Sequence, residues 1–350
     1  MGSAPPMLAS PPEITVRPYR AGDEEGVLAL LREVLGAGRA FDRSVAFWRW
    51  KHFETPFGPS LLLVAVNERI VGLRAFMRWK FCHGGRTLTA VRAVDTATHP
   101  DFRGFGVFTR LTRLAVEHAR SEGVDLIFNT PNPISRAGYL KMGWTYVGKP
   151  RLLVKVLRPL RVARSLAARG DVADGDGPAL RAPIAPVQAL VSGDLDLEGL
   201  LREDDRLAGG RLRTPRTTAF LQWRYGAASG LPYYACWRHA PTPAAAVVLR
   251  PNRRRGLREV VLCELLIQSA MVDEAVALLH DVADVVDADY LVAHAARRTV
   301  QAQALVRAGF IPLPGMGPAL TVRPLSPAAS EVAATRLSAW HFSLGDLEVF

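Results

Sequence analysis

The sequence predicts an α/β chain made of mixed sheets flanked by helices, with the arrangement present twice. Three observations carry this. Runs with strand alternation and runs with helical spacing interleave along the first half in the order β-α-α-β-β-β-α-β-α-β, which closes a mixed, α+β-type sheet with helices on both faces. At 350 residues the chain is too long for one ordinary domain and comfortable for two. The second half then repeats landmarks of the first in the same order.

The first strand is EITVRPY, from Glu13 to Tyr19. AGDEEGVLALLREVLG follows as a helix with acidic residues in its first turn, where the helix dipole favours them. SVAFWRWKHF reads as a short helix capped by Ser44. Three strands then run through SLLLVAVNERIVGLRAFMRWKFCHGGRTLTAVRAVDTATHP, turning at Asn67-Glu68 and at Gly84-Gly85. In FGVFTRLTRLAVEHARSEG, Phe108, Leu111, Leu114, Ala115 and His118 recur at helical spacing, and Gly123 stops the helix. VDLIFNTP is short and nearly all apolar, as a buried central strand requires. A short helix, ISRAGYLKMG, and a final strand pair, TYVGK and RLLVKVL, close a unit spanning 13–157.

Residues 1–12, rich in Pro and Ala, read as a disordered tail and not as a signal peptide. Residues 158–186 read as a linker: a basic helix, RPLRVARSLAARG, then a stretch rich in Gly, Pro, Ala and Asp. The second unit spans 187–325. A tail, 326–350, ends in RLSAWHFSLGDLEVF, whose aromatic residues predict docking on the body, with Asp346 and Glu348 as its acidic members.

The repeat is specific. GDEEGVLALLRE returns as GDLDLEGLLRED, FWRWKH as FLQWRY, and YLKMGW as LVRAGF, at offsets of 171, 173 and 166 residues. Thr217 stands where Ser44 stood, and Trp50 and Trp223 are equivalent packing positions. The offset shrinks between the last two matches. That interval holds HPDFRGFGVF in the first copy and LCELLIQSAMVDEAVALL, without a glycine turn, in the second. Tyr139 is matched by Leu305. One copy therefore keeps candidate chemistry and the other reads as scaffold.

Composition narrows the classes. Hydrophobic residues make up 49%, enough for a core in each half, and no run of eighteen apolar residues predicts a membrane span. The three cysteines, Cys82, Cys236 and Cys263, are too widely spaced for a disulfide framework or a zinc site; no metal is expected, and a reducing cytoplasm is. A net charge of +11 favours anionic partners. The basic run RPNRRRGLRE has no interleaved aromatics to stack on bases, so nucleic acid is not the expected partner.

HPDFRGFGVF follows a strand and opens a helix. A helix N-terminus offers unpaired N–H groups and a positive dipole end, and Gly104 and Gly106 permit backbone angles and close approach that a Cβ would block. The stretch reads as a phosphate cradle or as a tight turn. Its loss from the second copy favours the cradle, since the fold turns there without it.

THPDFRGFGVF followed by NPISRAGYLKMGW resembles two motifs of the GNAT acyltransferase superfamily. One is Arg/Gln-x-x-Gly-x-Gly/Ala, matched by Arg103 and Gly106, with Phe108 in the last place. The other is Asn-x-x-Ala-x-x-Leu-Tyr-x-Lys-x-Gly-Phe, matched by Asn132, Tyr139, Lys141 and Gly143, with Ser135, Gly138 and Trp144 as departures. The resemblance implies two tandem GNAT-like domains, the N-terminal one intact and the C-terminal one degenerate. It implies acetyl-CoA or another acyl-CoA as cofactor, its pyrophosphate held by the backbone of Arg103, Gly104, Phe105, Gly106, Val107 and Phe108. The strand at Thr96, Ala97 and Thr98 would supply an oxyanion donor, and Tyr139 would protonate the departing thiolate. Asn132, with Ser135, would hold the pantetheine arm or cap the next helix. Asp95, His99 and Glu54 are the candidates for a base, with Asp95 taken first and His99 read rather as a turn residue. Trp48, Lys51, His52 and Glu54 are offered as acceptor-side lining.

The expected activity is N-acyl transfer, most simply N-acetyl transfer, from acyl-CoA to a primary amine of a small molecule by direct attack in a ternary complex. The chain is expected to work as a monomer or homodimer. The double arrangement also resembles the Fem-type aminoacyl transferases, which leaves aminoacyl transfer from tRNA as an alternative; a non-catalytic acyl-CoA-binding scaffold is another.

Overall fold

The structure, a computed structural model, describes residues 13–36, 43–167, 177–192, 196–239 and 243–347. The expected N-terminal tail, part of the expected linker and Glu348 lie outside these residues.

The first half follows the expected order: β1 (Thr15–Pro18), α1 (Glu24–Leu35), α2 (Val45–His52), β2 (Leu61–Asn67), β3 (Arg69–His83), β4 (Arg86–Thr98), α3 (Val107–Ser121), β5 (Leu126–Asn129), α4 (Pro133–Lys141), β6 (Thr145–Gly148) and β7 (Leu152–Val156). The linker region holds α5 (Pro159–Ala167), β8 (Ala179–Leu180) and β9 (Ala185–Pro186). The second half contains α6 (Gln188–Val191), α7 (Leu197–Leu207), α8 (Thr218–Tyr225), β10 (Tyr234–His239), β11 (Pro243–Arg254), β12 (Leu257–Ile267), α9 (Val272–Val285), β13 (Val286–Asp287), β14 (Tyr290–Ala293), α10 (Val300–Arg307), β15 (Ile311–Leu313) and β16 (Leu320–Pro324). Ser44 and Thr217 cap α2 and α8 alike, each accepting from the backbone N–H three residues on.

Two seven-stranded sheets result, in the orders β1-β2-β3-β4-β5-β16-β6 and β15-β7-β14-β12-β11-β10-β9. The expected pairing of TYVGK with RLLVKVL does not form. Instead each half sends its last strand into the other sheet: β16 lies between β5 and β6, and β7 between β14 and β15. The chain between β6 and β7 is only 149–151. A hairpin would need β7 to fold back beside β6, but the place between β5 and β6 is taken by β16. The end of the expected linker, Ala185–Pro186, likewise joins the second sheet, since β9 pairs with β10.

The halves also meet at equivalent residues. The Trp50 indole donates to the Trp223 carbonyl at 2.7 Å, the Trp223 indole donates to the Trp50 carbonyl at 3.0 Å, and the two rings stack at 5.5 Å. Such reciprocity is the mark of a two-fold relation. One hydrophobic core runs through both halves here, joining Trp79 and Phe128 of the first sheet to Phe220 of α8.

The tail packs against this core. Trp340 and Phe342 stack at 4.6 Å, and Trp340 meets Phe81 edge-on at 4.9 Å. The buried Arg92 of β4 donates to the carbonyls of Asp346 and Leu347, at 2.6 and 2.8 Å, and Arg216 bridges the carboxylates of Glu264 and Asp346. Buried His341 sits among these groups; burial, then Arg216 and Arg211, push its imidazole down to about 3. The unfolded chain therefore binds the proton first, and stability contributed by neutral His341 is lost as pH falls below the ordinary histidine range. His341→Gln is expected to flatten the acid limb of the unfolding free energy by about 1.4 kcal/mol per pH unit between roughly pH 6.5 and 4. Urea titrations of both chains across that range measure the difference in slope.

Candidate active site

β4 and β5 run parallel and pair only where Ala90–Arg92 face Leu126–Phe128. Beyond Arg92, β4 continues to Thr98 on β3 alone, so the two strands part and a backbone edge stands with no strand across it. Thr96, Ala97 and Thr98 lie on that edge. The loop from the first motif follows. His99 is buried and its Nδ1 accepts from the Asp101 N–H at 3.3 Å, which fixes the turn. Gly104 and Gly106 have φ of +88° and +72°, and no heavy atom lies within 4 Å of where a Cβ would stand on either. Backbone angle, not crowding, demands these glycines, and the space above them is open.

α3 starts at Val107 with no side-chain cap on its N–H groups, and Arg103 through Gly106 are exposed. An uncapped helix start behind two left-handed glycines suits a phosphate better than it suits a mere turn. The helix sits close on the sheet because of Gly72: a Cβ there would meet Val107 at 2.7 Å and Leu111 at 3.0 Å.

Tyr139 is buried on α4 beneath the split. Its hydroxyl oxygen accepts from the guanidinium of Arg74 at 2.6 Å. Arg74 is fully buried and donates also to Thr96 Oγ1 at 2.7 Å and Thr112 Oγ1 at 2.6 Å; no carboxylate among the described residues pairs with it. A guanidinium only donates. The Tyr139 proton must therefore point to a third group, and Arg74 makes Tyr139 a committed donor.

Phe108 breaks the first motif by size, and the structure explains it. Its ring lies edge-on to Tyr139 at 5.5 Å, and the Arg74 guanidinium sits 5.0 Å above it. A Cβ on Gly138 would meet the Phe108 ring at 2.9 Å. The two departures, a large residue at 108 and a glycine at 138, are one exchange of volume. Gly138→Leu is expected to cost about 1–3 kcal/mol by overpacking. Adding Phe108→Ala should recover most of that in denaturant unfolding; an equal loss in both backgrounds would uncouple the positions.

Asp95 is not placed to act as a base. It sits at a bulge in β4 with φ of +40°, and it accepts from Lys51 Nζ at 2.6 Å and pairs with His52 Nε2 at 2.9 Å. Burial pushes its carboxyl up, but Lys51 and the His52 hydrogen bond outweigh burial and hold it well below the usual carboxylate range. So held, it takes up a proton only in strong acid. The second copy supplies a comparison. There Glu264 sits beside a bulge in β12 and accepts from Tyr225 of α8 at 2.6 Å, with no glycine loop nearby. An acid tying this helix to this strand occurs with and without the loop, so the tie belongs to the fold.

The other expected site residues divide. Asn132 caps α4, accepting from the Ser135 N–H at 2.8 Å, and Ser135 Oγ donates back at 3.0 Å. Trp48, Lys51 and His52 are buried, Lys51 and His52 against Asp95 and Trp48 against the His52 ring, whereas Glu54 is exposed just past the end of α2. Sequence reasoning missed Arg74 and Thr112. Arg74 lies amid an apolar run of β3, and Thr112 stands one position past Leu111 on the apolar stripe of α3; their inward positions are the available signal.

Among the described residues no group of three or more His, Cys, Asp or Glu could hold a metal, and no helix is long and apolar enough to cross a membrane. The sequence profile of the acetyltransferase (GNAT) domain matches residues 15–147, which contain both the glycine loop and Tyr139. No curated protein sequence matches the chain. Among solved structures, the fold is similar to a GCN5-related N-acetyltransferase from Anabaena variabilis, with a TM-score of 0.62, 13% identity, and 93% of this chain and 75% of that one covered. It is similar to a probable N-acyltransferase from Enterococcus faecalis, with a TM-score of 0.62, 12% identity, and 89% and 73% covered. It is also similar to a GCN5-related N-acetyltransferase from Kribbella flavida, with a TM-score of 0.58, 16% identity, and 94% and 75% covered. Residues 15–147 thus carry a GNAT-type acetyltransferase domain, and the mixed α/β fold of the chain is the one these structures share.

Proposed function

We propose that the protein is an acyl-CoA-dependent N-acyltransferase that acetylates a small-molecule amine at the split between β4 and β5, by direct attack in a ternary complex. The observation that carries this is the conjunction, at one split, of an uncapped glycine-lined helix start and a tyrosine whose hydroxyl is committed to donating. Acyl-CoA, when bound, supplies an activated thioester and leaves as a thiol. The residues fit that group. The N–H groups of Gly104–Val107 take pyrophosphate, while the Arg103 N–H is spent on the Pro100 carbonyl and its side chain adds charge. The unpartnered edge of Thr96–Thr98 offers backbone donors for a developing oxyanion.

Tyr139 holds its proton at Oη until a leaving sulfur needs it. Arg74, donating to that oxygen, turns the proton away from itself, and the Phe108 ring packs against both. Asp95, with Lys51 and His52, fixes the bulge that makes β4 leave β5. The tRNA reading has less support, because an aminoacyl-tRNA donor has no use for a pyrophosphate cradle.

A screen for thiol release from acetyl-CoA against a library of primary amines tests this reading. Amine-dependent release is expected. Tight acetyl-CoA binding with no release for any amine would favour the scaffold reading instead.

A further inference from the structure

Beside the active-site end of the first sheet lies a cavity of about 500 Å³. Its walls bring together Lys149, Arg151, Arg211, Arg297 and Arg298, with His294 among them. No carboxylate among the described residues is within ion-pair distance of any of these five cations. Arg151 is half-buried, and its Nε is buried with no hydrogen-bond partner. The Arg211 guanidinium donates to the Arg297 carbonyl at 3.1 Å, which draws the two arginine-bearing segments together despite their like charge. His294 donates from Nδ1 to the Arg151 carbonyl at 2.7 Å, leaving Nε2 as its other hydrogen-bonding atom. Lys149, Arg297 and Arg298 are exposed around the half-buried Arg151 and Arg211; like charges so clustered repel one another, and an anion entering among them relieves that repulsion. Apart from Ser338, the remaining lining is apolar or aromatic, with Trp340 and Phe342 prominent.

The place of the cavity ties it to the acyl-transfer site. β5 ends at Asn129 beside Thr321, and Leu320 lies beside Gly148, so β16 and β6 extend the same end of the sheet at which β4 and β5 part. Lys149–Arg151 leave from that end. Trp340 and Phe342 pack on Phe128 of β5, on the sheet face opposite α3. A cofactor entering at the start of α3 and passing through the split would present its acyl group toward this opposite face. From β5 to β6 is two strand spacings, on the order of 10 Å.

We infer that this cavity is the subsite for an anionic group on the acceptor. The acceptor would be a primary amine joined through an apolar or aromatic body, on the order of 10 Å long, to a carboxylate or phosphate. The inference rests on the acyltransferase reading for its amine, and on the cavity alone for its anion. Arginine forks suit either oxyanion, and the aromatic pair suits the body between.

Three matched amines test it: octylamine, 8-aminooctanoate and 8-aminooctyl phosphate, each assayed for thiol release with acetyl-CoA. At least one anionic amine is expected to exceed octylamine in kcat/KM by about tenfold or more, the return on one charge-assisted contact. Whichever is better names carboxylate or phosphate. In the double variant Arg151→Gln, Arg211→Gln the ratio of anionic amine to octylamine should fall toward one. Octylamine equal to both anionic amines, or a ratio unchanged in the variant, would overturn the subsite.

Should no amine be turned over, calorimetry separates the two claims. Binding of 8-aminooctyl phosphate or 8-aminooctanoate to the wild-type chain without acetyl-CoA, weakened about tenfold or more in the variant, would sustain the anion site while the acyltransferase reading falls. No binding of either at millimolar concentration would overturn the site.

Discussion

Gly106→Val is expected to abolish measurable acetyl-CoA binding while leaving the fold intact. Gly106 sits at φ of +72°, where a β-branched residue pays about 1–2 kcal/mol or more of strain. Valine cannot rest there without turning the 104–106 backbone, and that turning takes the start of α3 out of line with a phosphate. No neighbouring atom lies near the Gly106 Cβ position, so the loss comes from backbone geometry and not from a clash in the core. Gly106→Asn is the companion variant, because asparagine tolerates the left-handed region. Calorimetry should show asparagine binding within about tenfold of wild type and valine weaker by about a hundredfold or more. Equal affinity for all three would remove the loop from the account.

Tyr139→Phe should lower turnover by about 10²–10⁴, the usual worth of a positioned general acid, with acetyl-CoA affinity nearly unchanged. The ring keeps its contacts with Phe108 and Trp144, so packing survives. The side chain of Arg74 keeps Thr96 and Thr112 as acceptors but loses one partner while buried, which costs about 1–3 kcal/mol of stability. Assays well below the melting transition separate the two effects. Full activity in Tyr139→Phe would remove the tyrosine from the mechanism.

What the sequence made legible follows from how local each feature is. The glycine loop was legible because Gly104 and Gly106 answer to backbone angles that few other residues adopt, and Tyr139 because it keeps register with Asn132 on one short helix. The exchange of final strands was not. β7 and β16 are short apolar runs that would pair in either sheet, and their partners are chosen by long-range geometry. Arg74 was hidden because β3 is apolar on both faces: Leu73, Ala75 and Met77 fill one core, and Arg74 shares the α3 face with Gly72 and Phe76, so the pattern alone gives no reason to expect a buried charge there. Asp95 invited a catalytic reading because an acid near the split suggests a base. Its partners Lys51 and His52 lie some forty residues back, beyond any motif, and they decide its role. Phe108 looked like a fault in the loop until Gly138 was seen to make room for it.

The central claim is that one acyl-CoA site exists, at the junction of β4 and α3 in the first half. Amide hydrogen exchange with and without saturating acetyl-CoA tests it most directly. Protection is expected in peptides covering 93–110 and at the start of α4, with none in the matching stretch of the second half, 262–276. Protection centred on 262–276, or none in 93–110, would contradict the account.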